Sequence, residues 1–461
     1  MERTTDTIAA VATPAGPGAI GILRLSGPEA VSAASAAFRA ADSRPLEAHP
    51  PRRLIYGDLL DREGAVIDKV LATYTRGPAS YTGEDTAELH CHGAPMVLSL
   101  GLESLFSHGA RQAGPGEFTR RAFLNGRLDL VQAEAVGDLL EASSREGARH
   151  AAGQLSGALS RRIGGIYSAL VDVMAHFHAV LDYPDEDIDP FRESELEVVL
   201  SRQAAQLRAL LATCRRGSQI LHGLRCAIVG RPNVGKSSLL NSLLQADRAI
   251  VSNIPGTTRD IIEEQMTIGG IPLVLTDTAG LRDTEDLVEK IGVERSRAAL
   301  EDAQLALVVL DGSQPLSGED RELLRSLKDR KKLILVNKSD LPQMLDTEGL
   351  QREYGSSDVI VLSVKTGEGM EQVEQWLREF VYGEGSDSES SSMTQNARQQ
   401  DLLEKALRSL EDALEGARQH LPYDCLTIDL TQTLHDLGEI TGEDVPDEII
   451  DEIFAQFCVG K

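Results

Sequence analysis

The sequence predicts a multidomain α/β protein, in which an N-terminal α+β domain is followed by an all-α domain in two halves, with an α/β domain inserted between them. The first observation is length, since 461 residues suffice for about three domains. The second is periodicity, because helical spacing of apolar residues flanks a central stretch where short apolar runs alternate with longer amphipathic segments. The third is a hydrophobic share of 41%, which is ordinary for a globular protein and excludes global disorder.

Domain boundaries are predicted where these patterns change. Near the N-terminus, β-rich runs such as Ala19 to Leu25 and Val70 to Tyr74 alternate with Gly and Pro turns. An acidic, Ser-rich stretch at 383–392 has nothing to bury and predicts a flexible linker. The strand and helix alternation before it predicts βαβ units and a parallel sheet. We therefore predict the α+β domain at 1–118, the two halves of the helical domain at 119–218 and 380–461, and the inserted domain at 219–379.

The chain is strongly acidic, with 46 Lys and Arg against 72 Asp and Glu and a formal net charge of −26. This balance argues against a basic surface over the whole protein but leaves room for a local one. Half of the excess lies in 380–461, which holds 5 basic and 18 acidic residues. The first two segments are nearly balanced and would be the better candidates for contact with a nucleic acid; their arginines include Arg120, Arg121, Arg161 and Arg162.

Cysteine content and hydrophobicity indicate the compartment. The five cysteines are scattered with no CxxC pair, which fits reduced thiols better than disulfides or zinc. The N-terminus has no apolar core of a secretory signal, and no apolar run approaches the roughly 20 residues of a membrane span. We expect a cytoplasmic protein that does not enter a membrane.

A phosphate-binding loop is predicted at Gly230-Arg-Pro-Asn-Val-Gly235-Lys236-Ser237, because it follows a strand-like run and precedes a helical segment that begins at Ser238. Its glycines allow backbone N–H groups to close around phosphate oxygens. Lys236 would place a positive charge at the β- and γ-phosphates, and the Ser237 hydroxyl would ligate Mg²⁺.

Further elements of a nucleotide site follow in order. Gly256-Thr257-Thr258-Arg-Asp260 offers Thr258 to Mg²⁺, and Asp277-Thr278-Ala279-Gly280 places a carboxylate and a glycine amide near the γ-phosphate. In Asn337-Lys338-Ser339-Asp340, the two oxygens of Asp340 can accept from guanine N1–H and its exocyclic amine. Adenine has no matching donor pair. Ser363-Val364-Lys365 would support the base with a main-chain N–H, so these elements predict GTP as the nucleotide.

One expected residue is absent. Ras-type enzymes position the attacking water with a Gln directly after the glycine of the DxxG motif, and that position is Leu281 here. Hydrolysis must therefore be arranged differently.

Motifs along nearly the whole chain resemble the MnmE (TrmE) family of tRNA-modifying GTPases, within the group that includes Era, EngA, YihA and septin-like GTPases. Besides the nucleotide motifs, the resemblance rests on Gly21-Ile-Leu-Arg24, Tyr81-Thr-Gly-Glu-Asp85, Gly114-Pro-Gly-Glu-Phe118, Arg121-Ala-Phe-Leu-Asn125 and the terminal Cys458-Val459-Gly460-Lys461. The terminal CxGK is the most specific of these, whereas GxxxxGKS alone indicates only an NTPase.

The resemblance implies an inserted Ras-like P-loop G domain and a folate-binding N-terminal domain. It also implies a homodimer joined through the N-terminal domains, a 5-formyl-tetrahydrofolate or related one-carbon folate, and a heterotetramer with the FAD-dependent protein MnmG (GidA). Together these would add an aminomethyl or carboxymethylaminomethyl group at C5 of the wobble uridine of certain tRNAs. GTP hydrolysis would depend on K⁺.

Site residues carried over from the family complete this picture. For K⁺ they are Asn233, Ser252, Ile254 and Thr257, with Asn233 and Lys236 assisting catalysis and Glu289 organising the attacking water in place of the missing Gln. For GTP they are Asn233, Val234, Gly235, Lys236, Ser237, Ser238, Ser252, Asn253, Ile254, Pro255, Gly256, Thr257, Thr258, Asp277, Thr278, Ala279, Gly280, Asn337, Lys338, Asp340, Ser363, Val364 and Lys365.

For the folate they are Arg24, Glu88, Arg127 and, from the C-terminus, Lys461. A carboxylate suits the donor edge of a pterin and a cation suits its carboxylated tail. For Cys458 two roles stay open, one in the one-carbon chemistry and one in packing.

Two other patterns fail as metal sites. His90-Cys91-His92 has ligand types but no partner cluster, and strand alternation places the two histidines on one face, which favours a structural or site-lining role. Asp185, Asp187 and Asp189 resemble the start of an EF-hand, but Pro190 and Leu196 occupy its required Gly and Glu positions.

Two other functions remain open. A ribosome-assembly GTPase of the Era/Der type would require an RNA-binding domain with a GxxG loop after the G domain, and the helical C-terminal half lacks it. A folate-sensing switch without direct tRNA chemistry is not distinguished by sequence.

Overall fold

The computed structural model describes residues 6–142, 145–182, 193–222, 224–246, 264–268, 271–275, 303–355, 358–382, 396–443 and 445–460. The chain divides into two compact units. Unit 1 comprises Met1–Gly137, Leu159–Pro190 and Leu421–Lys461, and unit 2 comprises Asp138–Ala158 and Phe191–His420. These two units do not correspond to the four predicted segments, 1–118, 119–218, 219–379 and 380–461, so that division stays a prediction.

The described elements include both strands and helices over 7–112, are all helical over 117–222, include both again over 224–382, and are helical afterwards. Residues 6–182 form β1 (Thr7–Val11), β2 (Gly18–Ser26), α1 (Ala30–Ala37), β3 (Phe38–Ala40), β4 (Ile55–Leu60), β5 (Val66–Thr75), β6 (Thr86–Gly93), α2 (Pro95–Ser107), β7 (Ala110–Gln112), α3 (Glu117–Leu124), α4 (Leu130–Glu141), α5 (Arg145–Leu155) and α6 (Ala158–Asp182). Residues 193–382 form α7 (Glu193–His222), β8 (Leu224–Val229), α8 (Lys236–Ala246), β9 (Glu264–Ile268), β10 (Ile271–Leu275), β11 (Leu305–Asp311), α9 (Gly318–Ser326), β12 (Lys332–Asn337), α10 (Thr347–Tyr354), β13 (Val359–Val361) and α11 (Met370–Tyr382). The remaining helices are α12 (Ala397–Arg418), α13 (Tyr423–Thr441) and α14 (Asp447–Ala455).

In unit 1, a seven-stranded sheet has the order β3-β4-β5-β6-β2-β1-β7, and β1 and β7 are its parallel pair. Alternation along the strands gives the sheet two different faces. Leu23 and Leu89 point to the inner face and pack in one core with residues of α1 and α2. Their sequence neighbours Arg24 and Glu88 therefore lie on the outer face, directly opposite each other in the register of β2 and β6.

In unit 2, a six-stranded sheet has the order β13-β12-β11-β8-β10-β9. Its first five strands are parallel, and β9 pairs antiparallel with β10 at the edge. All seven residues of β11 are buried, as expected for a central strand with both faces covered. The predicted parallel sheet is confirmed for these five strands, whereas the edge strand β9 runs the other way.

Helices α7 and α12 pack against each other within unit 2. Leu200 and Leu207 are fully buried on α7, as are Leu403 and Leu410 on α12, and each pair recurs at seven residues. Arg208 and Glu411 make an exposed ion pair of 2.5 Å across the two helices. The helical periodicity read from the sequence on both sides of the G-domain motifs is thus realised in two helices that contact each other.

Helix α6 contains a segment, Ala158–Val180, that is long and apolar enough to cross a membrane, with a mean hydropathy of 1.3. The expectation that no apolar segment approaches this length is therefore wrong. A core helix passes the same test of length and composition. On α6 the buried residues recur every three or four positions, from Ile163 to Phe177, and the Phe177 ring stacks on Tyr423 with centroids 4.4 Å apart. This buried stripe is the pattern of a helix packed in a core.

Candidate functional sites

The phosphate-binding loop joins β8 to α8, as the sequence predicts. Both glycines of the loop are required, because neighbouring atoms lie too close to them for a side chain. Gly230 has φ +151°, and a Cβ there would lie 2.3 Å from the carbonyl oxygen of Val309. Gly235 has φ +105°, and a Cβ there would lie 2.3 Å from Asn337 Nδ2. Asn233 also has a positive φ of 61°, so the loop curls and then enters the helix at Lys236.

Lys236 lies across the mouth of this loop. Its ammonium group donates to the carbonyl oxygens of Gly230 at 2.8 Å and Arg231 at 2.7 Å, and burial lowers the pKa of Lys236. Arg231 in turn donates from Nε to Asp320 Oδ1 at 2.9 Å. Asp320 forms the capping box of α9 with Ser317, so the loop is tied to the start of a helix. This tie is not visible as a sequence motif.

Asn337 connects the phosphate loop to the predicted base-recognition loops. It is 4% exposed, and its Nδ2 donates to the Val234 carbonyl at 2.8 Å. Its Oδ1 accepts from the Val364 N–H at 3.1 Å. The Val364 N–H, which was predicted to contact the base, thus donates to Asn337 instead. Three separate segments of the chain meet at this one side chain.

Asp340 stands beside these loops with one oxygen engaged. Its Oδ1 accepts from the Ser363 hydroxyl at 2.8 Å, and its Oδ2 is 4.0 Å from Lys365 Nζ. Lys338 has a positive φ of 70°, and its ammonium group donates to Asp311 Oδ2 at 2.6 Å. Burial opposes ionisation of Asp311, but hydrogen bonds from Lys338 and Ser313 outweigh it and lower the pKa of the carboxyl.

Several predicted site residues lie outside the described residues. These are Ser252, Asn253, Ile254, Pro255, Gly256, Thr257, Thr258, Asp277, Thr278, Ala279, Gly280, Glu289 and Lys461, together with Leu281 and the three aspartates at 185, 187 and 189. The structure therefore describes the phosphate loop and the base-recognition loops of the nucleotide site.

A second group of predicted site residues meets on the outer face of the unit 1 sheet. Glu88 accepts from Arg24 Nε at 2.9 Å and contacts His90 Nε2 at 3.0 Å. Burial opposes ionisation of Glu88, yet the His90 and Arg24 contacts prevail and lower its pKa. Glu88 and His90 share this face, as strand alternation predicts, and the role of His90, structural or site-lining, stays a prediction.

Beside Glu88 is a cavity of about 470 Å³. Its walls come from β5, the loop after it and β6, with Arg127 completing the lining; the residues are Thr73, Tyr74, Thr75, Ala79, Ser80, Tyr81, Thr86, Ala87, Glu88 and Arg127. Tyr81 donates to or accepts from the Thr119 hydroxyl at 3.0 Å, and burial raises the pKa of Tyr81. Glu88 and Arg127, predicted as parts of one site, do line one cavity. Tyr81 was not among the predicted binding residues, and only its position in this lining identifies it.

The C-terminal motif reaches the same region. Val459 forms a bridge with Pro115, and the Gly116 N–H donates to the Cys458 carbonyl at 3.3 Å. Gly460 has φ +98°, and a Cβ there would lie 2.2 Å from the Val11 carbonyl oxygen. Arg24 Nη1 is 3.5 Å from the Gly460 carbonyl oxygen. Gly460 thus contacts Arg24, the partner of Glu88.

The expectation that Arg121 is a candidate for nucleic-acid contact is wrong. It is 1% exposed and ion-paired with Asp6 at 2.8 Å, Glu84 at 3.1 Å and Glu117 at 3.0 Å. A buried guanidinium with three carboxylates holds the domain together and is not available to RNA. Arg120 pairs with Asp451 at 2.9 Å. Arg161 and Arg162 are exposed on α6.

The described cysteines differ in environment. Cys91 is buried, and burial raises the pKa of its thiol to about 12. Cys226 is buried as well, whereas Cys425 and Cys458 are exposed. No group of three or more potential metal-ligating side chains occurs in the part of the chain that the structure describes.

The chain is similar to known protein families and to named relatives. Residues 7–127 match the family "GTP-binding protein TrmE N-terminus", and residues 130–458 match "MnmE helical domain". The protein of Lactiplantibacillus plantarum named tRNA modification GTPase MnmE is 45% identical, and the alignment covers 100% of both chains. The protein of the same name from Clostridioides difficile is 43% identical, with 99% of each chain covered.

Two solved structures are similar over part of the chain. The G domain of the Thermotoga maritima FeoB iron transporter is 29% identical, with 34% of this chain and 98% of that chain covered at a TM-score of 0.25. Era of Aquifex aeolicus bound to GDP and AlF4⁻ is 23% identical, with 40% of this chain and 65% of that chain covered at a TM-score of 0.26. The full-length similarity and the two family matches show that this chain belongs to the MnmE family.

Proposed function

We propose that this protein is a Mg²⁺-dependent, K⁺-activated GTPase that acts in modifying the wobble uridine of certain tRNAs. The observation that carries the proposal is the meeting of the phosphate loop and the base-recognition loops at Asn337, in a chain whose relatives are named tRNA modification GTPases. Such a connection is what a site needs to hold a phosphate chain and a base at the same time.

Residues of the loop supply the phosphate contacts. The Lys236 ammonium, which donates to two loop carbonyls, would bind the β- and γ-phosphates, and the Ser237 hydroxyl would ligate Mg²⁺. Magnesium supplies charge neutralisation on the phosphates when bound. Thr258 and Asp277 would complete this part of the site.

Asp340 carries the base specificity in this proposal. Its carboxylate is held by Ser363 and can accept from two guanine donors. We expect GTP but not ATP to be hydrolysed, and Asp340→Asn to prefer xanthosine triphosphate, whose base offers an acceptor where guanine offers an amine. Unchanged GTP preference in Asp340→Asn would contradict the assignment.

Asn233, with Ser252, Ile254 and Thr257, would hold K⁺ in this proposal. A monovalent cation there supplies positive charge near the bridging oxygen, the role of an arginine finger in other GTPases. Glu289 would orient the attacking water. Hydrolysis should rise steeply when K⁺ replaces Na⁺, and Asn233→Ala should abolish that difference. Equal rates in the two salts would refute the cation role.

We also propose that the cavity beside Glu88 binds a 5-formyl-tetrahydrofolate-type carrier. Glu88 offers a carboxylate to a pterin donor edge, Arg127 lies in the same lining, and Arg24 Nη1 lies 3.5 Å from the carbonyl oxygen of Gly460. Direct titration with 5-formyl-tetrahydrofolate should show binding that Glu88→Gln weakens. No binding by the unmodified protein would exclude this part of the proposal.

A homodimer through the N-terminal domains is supported by the outer sheet face. Tyr56 and Leu71 are cross-strand neighbours there and are 55% and 38% exposed. Adjacent exposed apolar side chains on a sheet favour burial by another copy. Leu71→Glu should convert the dimer to a monomer in light scattering. Met96→Glu is the control, because Met96 is 70% exposed on α2, which packs on the opposite face.

The tRNA reaction, carried out with the FAD-dependent protein MnmG in a heterotetramer, is tested in cells. Nucleoside mass spectrometry of tRNA from a strain lacking this protein should show wobble uridines without the aminomethyl or carboxymethylaminomethyl group. Unchanged wobble uridines would refute the proposed function. A ribosome-assembly GTPase would instead leave tRNA unchanged and alter the ribosomal subunit profile.

A further inference from the structure

The rim of the cavity beside Glu88 carries an arginine that no motif singled out. Arg52 lies just before β4, and its backbone N–H donates to the Tyr74 carbonyl at 2.8 Å. Its guanidinium Nη2 donates to the Ala79 carbonyl at 2.5 Å. Tyr74 and Ala79 both line the cavity. Arg52 therefore connects two walls of the cavity from its edge.

The backbone of Arg52 is held in an uncommon conformation. Its φ is +63°, in the left-handed region that residues other than glycine adopt at a cost of about 1 kcal/mol. The hydrogen bond to Tyr74 fixes this conformation, and the exposed side chain is thereby directed along the rim toward Ala79. Residues kept in such conformations concentrate at ligand-binding sites.

The charges around the cavity are unequally neutralised. Arg24 is paired with Glu88, and Arg76 is paired with Asp85. Across the described part of the chain, no carboxylate lies within ion-pair distance of Arg52 or Arg127. Two guanidinium groups are thus available at a cavity whose single carboxylate, Glu88, is already matched by a cation.

This asymmetry suits a ligand with a donor-rich head and several carboxylates along a flexible chain. Guanidinium groups bind carboxylates in a bidentate manner, and each contact is stronger where water is partly excluded. A folate with one glutamate has two carboxylates, and each additional γ-linked glutamate adds one more. The cavity volume of about 470 Å³ holds the head and the first part of such a ligand, so the chain emerges over the rim.

We propose that Arg52 binds the carboxylates of a γ-linked oligoglutamate tail, so that this protein selects folates carrying several glutamates over the monoglutamate. The inference rests on the proposed folate site and extends it to a tail-binding position at its rim. Arg52 acts in ligand selection and takes no part in a bond-making step.

The test is calorimetric titration of the full-length protein with 5-formyl-tetrahydrofolate carrying one or five glutamates. The unmodified protein should bind the pentaglutamate about tenfold more tightly, equivalent to one charge-assisted contact of about 1.4 kcal/mol. Arg52→Gln should reduce this ratio to below about twofold while changing monoglutamate affinity little. Arg52→Lys should retain part of the ratio, because the charge is kept and the bidentate geometry is lost.

Arg62→Gln is the matched control. Arg62 is also an exposed arginine of unit 1, but it lies in the turn between β4 and β5, at the opposite end of the hairpin from Arg52. It should keep the full ratio. The ratio should also fall as salt is raised, because exposed charge contacts are screened.

The outcomes separate this inference from the proposed function. Binding of both folates with equal affinity would overturn the role of Arg52 and leave the folate site intact. Retention of the tenfold ratio in Arg52→Gln would overturn it equally. Absence of binding of either folate to the unmodified protein would refute the folate site itself, and the tail-binding position with it.

Discussion

Substituting Gly460 by alanine tests whether the C-terminal motif is built into the N-terminal cavity region. At this position the backbone has φ +98°, and a Cβ would lie 2.2 Å from the Val11 carbonyl oxygen. Real Cβ atoms do not approach a backbone oxygen so closely, and Val11 lies within the sheet as part of β1. The tail rather than the strand must therefore move.

The size of the effect follows from the contacts that the movement breaks. The left-handed backbone costs alanine about 1 kcal/mol relative to glycine. Displacement also removes the hydrogen bond from Gly116 to Cys458, which contributes about 1 kcal/mol. The free energy of opening the tail should thus fall by at least about 2 kcal/mol, which corresponds to roughly a 30-fold faster exchange of its amides.

Hydrogen exchange of a peptide covering 455–461 measures this opening directly, and titration with the folate proposed above would measure its consequence at the cavity. Gly64→Ala is the control, since Gly64 also has a positive φ of 85° but a Cβ there would meet nothing within 4 Å. Global unfolding by urea should change little in either variant. If Gly460→Ala keeps native exchange rates and native folate affinity, the tail is not held as described and the reasoning fails.

Three further predictions follow from buried groups. Asn337→Ala leaves a buried carbonyl and a buried amide without their partner, so the urea-measured stability of unit 2 should fall by about 2–4 kcal/mol and GDP should bind more weakly; an unchanged unfolding curve would contradict this. Although burial opposes it, hydrogen bonds from Arg111, Gly114 and Arg121 lower the pKa of Glu117 to about 2. Its ion pairs should therefore stabilise unit 1 fully above about pH 4.5, by no more than about 3 kcal/mol, and this contribution should be lost as the pH falls toward 2. Glu117→Gln should flatten that part of the stability profile. Finally, iodoacetamide at pH 8 should label Cys458 in the native protein but not Cys91, which should react only after unfolding; labelling of both at equal rates would contradict the burial of Cys91.

The buried strands were predictable from sequence because a strand covered on both faces appears as a continuous run of apolar residues. The apolar run Leu333 to Val336 became β12, and Arg225 to Val229 became β8, each within one residue at either end. Both faces of these strands are covered along most of their length, so their central residues are apolar, whereas Arg225 in β8 is exposed. Edge strand β9 was not predicted, because only Met266 and Ile268 of its five residues are apolar and its pairing depends on the neighbouring strand β10.

The nucleotide motifs were predictable for a similar reason, since phosphate-loop chemistry requires fixed residue types at fixed spacing. Contacts between distant segments were not. Nothing local indicates that Arg231 pairs with Asp320, or that Asn337 accepts from Val364. Arg121 was misread because charge suggests exposure, whereas three carboxylates supplied from elsewhere in the chain allow its burial.

The packing of residues 458–460 against Val11 and Pro115 sets a condition on synthesis of the protein. At the usual rate of about 5–20 residues per second, β1 leaves the ribosome tens of seconds before Gly460 is made. During that interval the ribosome synthesises the intervening chain, which includes all of unit 2. The sheet in unit 1 can pair its strands in this time, but the contacts of Arg24 and Pro115 with Gly460 and Val459 form only after residues 459 and 460 have been translated. A chain truncated before residue 458 would therefore pair the strands of its sheets and still lack these contacts.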